Sequence, residues 1–205
     1  VRGEVQVPLN SRGLLSFCRG VLSLHSINAT NGSVRLKNST IEMTQQPLSA
    51  NGNATLSGTT VIRGDVVNSA RIVHDSDVGT RLRINGTFNH THEAVLYVTI
   101  DDPSVPGAGY TRIDVNGTAS LAGSVVICLG NFDHSKHPRI NVMAFASRVG
   151  TFRNVTFPCT PYHQSSASYT NSTNSTNSTV KYANSGCSPS TSLGAVNFAV
   201  LLSGC

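Results

Sequence analysis

In the opening stretch "VRGEVQVPLNSRG", Val5, Val7 and Leu9 occupy alternate positions, and the same apolar–polar alternation returns along most of the chain. A strand turns successive side chains to opposite faces, so period two marks a half-buried strand. Short runs of this kind follow one another: "GSVRLKN", "STIEM", "NATLSG", "TTVIRG", "DVVNSARIVH", "RLRINGTF", "AVLYVTI", "RIDVNGTASLAG", "SVVICLG", "RINVMAFAS" and "TFRNVTF". Each is rich in β-branched residues and bounded by Gly, Asn, Asp or Pro, the usual strand punctuation. No window carries a convincing 3.6-residue apolar period. The pattern predicts an all-β protein.

The pattern also divides the chain. Residues 1–13 read as an N-terminal extension. Pro8 cannot donate to a ladder, so this strand belongs at an edge or is added to another molecule. Residues 14–158 form the predicted body. Residues 159–187 form a loop bounded by Cys159 and Cys187 and rich in Asn, Ser and Thr. Residues 188–205 end on "LGAVNFAVLLSG", which falls short of the ~20 apolar residues a membrane helix needs and reads as a buried strand.

Partial self-similarity refines the fold. "NGNATLSG" (51–58), "NGTFNHT" (85–91) and "NGTASLAG" (116–123) recur roughly every thirty residues, a period typical of stacked units that bury their faces only against neighbours. A parallel β-helix satisfies this requirement, since its coils stack aliphatic side chains inside and pair backbone groups between coils. A β-sandwich or jelly roll is the alternative. An immunoglobulin domain is disfavoured because the chain has no Trp.

Composition narrows the partners. Twelve Arg and three Lys against ten acids give a formal charge of +5, but the basic residues are dispersed, with only "RLR" at 81–83 clustered. Nucleic-acid binding would call for a concentrated basic face. The chain begins at Val1 rather than Met, which suggests a removed leader.

The compartment is read from Asn-x-Ser/Thr sequons. Eleven of eighteen asparagines start one: Asn28, Asn31, Asn38, Asn53, Asn85, Asn89, Asn116, Asn154, Asn171, Asn174 and Asn177. With about a fifth of residues Ser or Thr, chance gives roughly four. The excess points to a secreted or cell-surface protein carrying covalent N-linked glycans, with no other cofactor. A Ser/Thr/Asn-rich bacterial β-protein is the alternative source of such sequons. Three lie in "TNSTNSTNST", which becomes a tethered glycan brush rather than a linker. Five cysteines, Cys18, Cys128, Cys159, Cys187 and Cys205, show no CxxC spacing. They allow at most two internal disulfides in an oxidising compartment. The turn-rich tail favours a bridge among the last three, Cys159 and Cys187 stapling the brush. The odd cysteine is free and buried, or bonded to a neighbouring molecule.

Residues 57–156 carry a family resemblance. "SGTTVIRGDVVN", "RLRINGTF", "GYTRIDVNGTASLAGSVVICL" and "RINVMAFASRVGTFRNVTFP" resemble successive coils in the C-terminal part of autotransporter passenger domains and related adhesins. The resemblance covers about half the chain and implies a right-handed parallel β-helix. Cysteines and dense sequons are foreign to most of that bacterial family, and the family's membrane barrel is not expected here.

Candidate chemistry is sparse. Arg63-Gly64-Asp65 matches an integrin-binding tripeptide, but within "VIRGDVVN" it reads as a turn between strands. Asp101 and Asp102 open a Pro/Gly loop, and the ten scattered acids do not supply the paired carboxylates of a glycan-active enzyme. His90 and His92, with His134 and His137, lack recognisable metal-ligand spacing. Asn89 beside His90 suggests a solvated segment. No nucleophile, phosphate or dinucleotide motif occurs. The expectation is therefore non-enzymatic: a structural subunit of an extracellular fibril or coat. It assembles head to tail with copies of itself, residues 1–12 (Val5, Val7, Leu9) adding a strand to the next subunit. An adhesin or glycan-binding module is the second reading, and the scarcity of aromatic residues argues against carbohydrate stacking.

Overall fold

The computed structural model describes residues 2–5, 9–10, 14–25, 27–28, 33–74, 79–130, 132, 136, 139–159, 179–181, 188–194 and 196–203. Twenty strands and no helix occupy them. In chain order they are β1 (Arg2–Val5), β2 (Leu9–Asn10), β3 (Leu14–Leu24), β4 (Ile27–Asn28), β5 (Ser33–Met43), β6 (Leu48–Ala50) and β7 (Asn53–Ser57). Next come β8 (Thr59–Arg63), β9 (Val66–Asn68), β10 (Arg71–His74), β11 (Arg81–Asn85), β12 (Phe88–His90) and β13 (Val95–Ile100). The last seven are β14 (Arg112–Leu121), β15 (Ser124–Leu129), β16 (Arg139–Gly150), β17 (Asn154–Cys159), β18 (Thr179–Lys181), β19 (Ser188–Leu193) and β20 (Asn197–Ser203).

The strands pair as three parallel ladders. In the first, β1, the C-terminal halves of β3 and β5, then β8, β11, β14 and β16 follow one another. The second runs through the N-terminal halves of β3 and β5 to β7, β10, β13, β15 and β17. The third joins β2, β4, β6, β9 and β12 to the C-terminal ends of β14 and β16. Partners are close in sequence at first (Ser33 faces Asn53, Asn53 faces Arg71) and farther apart later (Leu82 faces Ile113), because the loop from Asp101 lengthens the unit between them.

Alternation sets what points inward. Ile41, Ile62, Ile84 and Val115 follow one another on neighbouring strands of the first ladder, and Leu48, Val66, Phe88 and Ala119 on the third; all are buried. Burying each larger aliphatic or aromatic side chain is worth about 1.5–3 kcal/mol relative to exposing it. At the bend between the first two ladders the backbone turns left-handed: Arg19 (φ 59°), Asn38 (φ 47°) and Gly58 (φ 60°). Asn tolerates this region better than most side chains. Thus "GSVRLKN" and "STIEM", read as two strands, are one strand, β5, bent at Asn38.

The C-terminal apolar segment folds back onto the body. The apolar strand β20 lies antiparallel on β16, with Val200 facing Ile140 and Asn197 facing Ala144. β19 pairs with β20, and β18 with β19. Phe198, Ala199 and Val200 are buried, and Phe198 meets Phe152 edge to face at 5.1 Å. This segment closes its own chain rather than offering a free strand. At the other end, β1 and β2 pair with β3 and β4 of the same chain: Val5 faces Leu24 and Leu9 faces Ile27. Val7 lies outside the described residues.

Candidate functional site

The outward positions of the ladders carry the features singled out in the sequence. Of the sequon asparagines, Asn38, Asn53, Asn85, Asn89, Asn116 and Asn154 have described side chains, and all six are exposed. The reason is local. Each except Asn38 sits at an outward position of a strand or at a strand end, opposite in phase to the buried residue beside it. Asn38 is held differently: its Oδ1 accepts the Thr59 N–H at 2.9 Å, so its side chain lies across Gly58 at the bend. Asn28 lies in β4. Asn31, Asn171, Asn174 and Asn177 lie outside the described residues, as do the brush and Cys187 and Cys205.

Three turns stack at the corner between the first and third ladders. They are Arg63-Gly64-Asp65, Asn85-Gly86-Thr87 and Asn116-Gly117-Thr118, joined by the registers Arg63–Asn85, Val66–Phe88 and Phe88–Ala119. The sequence repeat therefore holds for two of its three copies. Asn53 of "NGNATLSG" opens a strand of the second ladder, and the tripeptide RGD occupies the matching corner instead. Its charges are engaged. Arg63, 59% exposed, pairs through Nη1 with Glu42 Oε1 at 2.5 Å, and Glu42 Oε2 accepts from Ser23 Oγ at 2.9 Å. Asp65 Oδ1 accepts the Thr87 N–H at 2.7 Å. Both charged side chains of the tripeptide are thus tied to neighbouring segments.

One polar pair sits inside. Asn68 and His90 face each other on β9 and β12 and are both 0% exposed. His90 Nε2 lies 3.2 Å from the Ser124 carbonyl oxygen, and His90 Nδ1 lies 3.1 Å from Asn68 Nδ2. A carbonyl only accepts, so Nε2 carries the proton and Nδ1 accepts from the amide. Asn68 Oδ1 in turn accepts the Ala70 N–H at 3.3 Å. Phe152 meets the imidazole edge to face at 5.5 Å. Burial pushes the His90 pKa down to about 4, against a smaller opposing contribution from the Ser124 hydrogen bond. The solvated reading of this residue is thus corrected: β12 ends at His90, which points inward. His92 lies outward, with Nδ1 at 2.9 Å from Glu93 Oε1 and Arg153 Nη1 donating to its Nε2 at 2.9 Å. His134 and His137 lie outside the described residues.

Two further carboxylates are tied locally. Asp102 Oδ1 accepts from the Ser104 N–H and Oγ at 2.9 and 2.6 Å. Asp114 is flanked by two arginines: Arg81 Nε and Nη2 reach its Oδ2 at 3.0 and 2.8 Å, and Arg112 Nε reaches its Oδ1 at 2.7 Å. Burial pushes this carboxyl up, but hydrogen bonds from Arg112 and Arg81 and their charges outweigh it and hold the pKa below the ordinary value. Among the described residues no three His, Cys, Asp or Glu side chains converge as metal ligands.

Cys18 is free and exposed on β3, and Cys128 is disulfide-bonded. Cys159 faces Cys128 in the register of β15 and β17. With Cys18 free, the partner of Cys128 is one of the three C-terminal cysteines, so bridging is not confined to the tail. Among the described residues the free thiol, Cys18, is exposed.

Comparisons with protein-family models, curated proteins and solved structures find no match. The autotransporter resemblance rests on its sequence motifs.

Proposed function

We propose that this chain is a secreted, N-glycosylated right-handed β-helix serving as a structural subunit of an extracellular filament or coat. The observation that carries the reading is the outward placement of all six described sequon asparagines on the sides of the ladders: five lie on strands paired on both sides, and Asn154 opens the edge strand β17 with its side chain exposed. Glycans on the sides would oppose lateral association, which leaves the ends as the contact surfaces. Parallel pairing in three ladders supports the helix over a sandwich or jelly roll, whose strands are antiparallel.

Assembly would proceed edge to edge. Among the described residues β1, β2 and the N-terminal half of β3 are each paired on one side only, and Leu14 on that half is 63% exposed. Open edges of this kind recruit further strands. Register shifts fall between β14 and β16, β15 and β17, and β16 and β20, and such irregularities blunt an edge. The regular edge therefore lies at the N-terminal end, and β17 is the parallel strand a neighbour would present to it. With β1 and β2 already on their own ladders, the contact needs no released arm.

Two measurements test the reading. Intact mass before and after enzymatic glycan removal should show a loss with conversion of Asn to Asp at sequons; an unchanged mass removes the secreted, glycosylated part. Negative-stain imaging of the glycoprotein should show end-to-end particles, and Leu14→Lys should reduce them to folded monomers. Particles that stay single in the unaltered protein would overturn the assembly role, whatever the mass result.

A further inference from the structure

We propose that the outward face of the first ladder is a binding surface for a linear sulfated or carboxylated polysaccharide. The basic residues that look dispersed in sequence converge there. Alternation turns Arg63 of β8, Arg81 and Arg83 of β11, Arg112 of β14 and Arg139 of β16 to the same side, against buried Ile62, Leu82, Ile84, Ile113 and Ile140. The registers place β8, β11, β14 and β16 side by side. Neighbouring strands lie about 4.8 Å apart and alternate residues about 6.6 Å, so the guanidinium groups form a dense array.

Two carboxylates share the face among the described side chains. Glu42 neutralises Arg63, and Asp114 is shared between Arg81 and Arg112, so that trio keeps one positive charge. Arg139 Nε and Nη2 donate to the neutral Asn141 and Asn197 amide oxygens at 3.3 and 3.1 Å. Arg83 is exposed and makes no ion pair among the described residues. Unneutralised charge therefore runs across β11, β14 and β16. Guanidinium forks match carboxylate and sulfate oxygens in paired hydrogen bonds. The ladder extends this match over several rungs, which suits a polymer better than a single ion. Beside the arginines the face presents Thr59, Val61, Asn85, Asn116 and Asn141 and no aromatic platform for bases, which disfavours single-stranded nucleic acid. Asn85 and Asn116 end two of the rows, so glycans there would stand at the rim. The surface does not depend on the assembly role.

The test uses the full glycosylated chain on an immobilised heparin-type sulfated polysaccharide, eluted with salt. The protein should be retained at about 0.15 M salt, with affinity falling steeply as salt rises. Arg83→Gln should lower the slope of log affinity against log salt by about one, and Arg83→Gln with Arg139→Gln by about two. Arg35→Gln with Lys37→Gln, exposed on the second ladder, should leave it unchanged. Arg83→Gln breaks no ion pair or side-chain hydrogen bond among the described residues, so its loss reads binding rather than folding. No retention of the parent protein, an unaltered slope in Arg83→Gln, an equal loss in the control, or tighter binding to single-stranded DNA would each overturn the proposal.

Discussion

Replacing Gly86 by Ala should destabilise the protein by on the order of 3 kcal/mol or more, placing it in the severe tail of single substitutions. The added Cβ would lie 2.4 Å from the Gly64 carbonyl oxygen and 2.6 Å from its carbon, both backbone atoms. Neither turn can retreat: the Gly64 N–H donates to Asn85 O at 3.2 Å and the Val66 N–H to Thr87 O at 2.9 Å. The next turn is stacked as closely, since a Cβ on Gly117 would lie 2.6 Å from Gly86 O. The substitution leaves the sequon Asn85-Ala-Thr87 intact, so carbohydrate content is a built-in control. Denaturant titration of matched glycoforms should show a lower midpoint at an unchanged slope. A loss below about 1 kcal/mol would mean that the three turns do not stack as described.

Acid should weaken the fold through His90, by about 3 kcal/mol in all. The pKa is about 4 in the folded chain and 6.5 ordinarily, so between these values the unfolded chain binds more protons. Stability from this residue is complete above pH 6.5 and is lost as the pH falls toward 4. The structural cause is specific. A protonated Nδ1 would confront the Asn68 amide hydrogens, and turning the amide over would forfeit the bond from the Ala70 N–H. The edge-to-face contacts from His90 to Phe152 and on to Phe198 make the C-terminal closure the region to follow. Denaturant midpoints should therefore fall between pH 6.5 and 4. His90→Leu should be flatter across that window and less stable at pH 7, because Asn68 Nδ2 loses its acceptor; an unsatisfied buried group costs about 1–3 kcal/mol. An equally steep pH profile in the variant would assign the acid response to other groups.

The site was partly legible in sequence. The sequon asparagines follow from the alternation, since most of them fall on polar phases of strands. The same rule held the signal for His90. An exposed Asn89 in a strand implies an inward residue 90, and Asn68 shares its phase with buried Val66. What obscured this was reading the exposure of one residue as a property of its segment. The arginine face was less accessible, because Arg63, Arg81, Arg83, Arg112 and Arg139 are dispersed until their strands are laid side by side.

By itself the sequence determined the local states. Period-two runs, β-branched residues and Gly/Asn/Asp punctuation define most strands of the body and which side of each is apolar, because these depend on pleat geometry and immediate neighbours. Pairing partners, by contrast, are chosen by contacts between residues about twenty or thirty positions apart. Only the tertiary structure decided that RGD, rather than "NGNATLSG", lies beneath the two NGT turns. It alone turned β20 back onto β16, brought Cys159 opposite Cys128, and gathered the arginines on one face. Strand formation needs only alternation, whereas register also requires shape agreement between inward side chains and a close backbone approach at Gly86 and Gly117, which no single segment encodes.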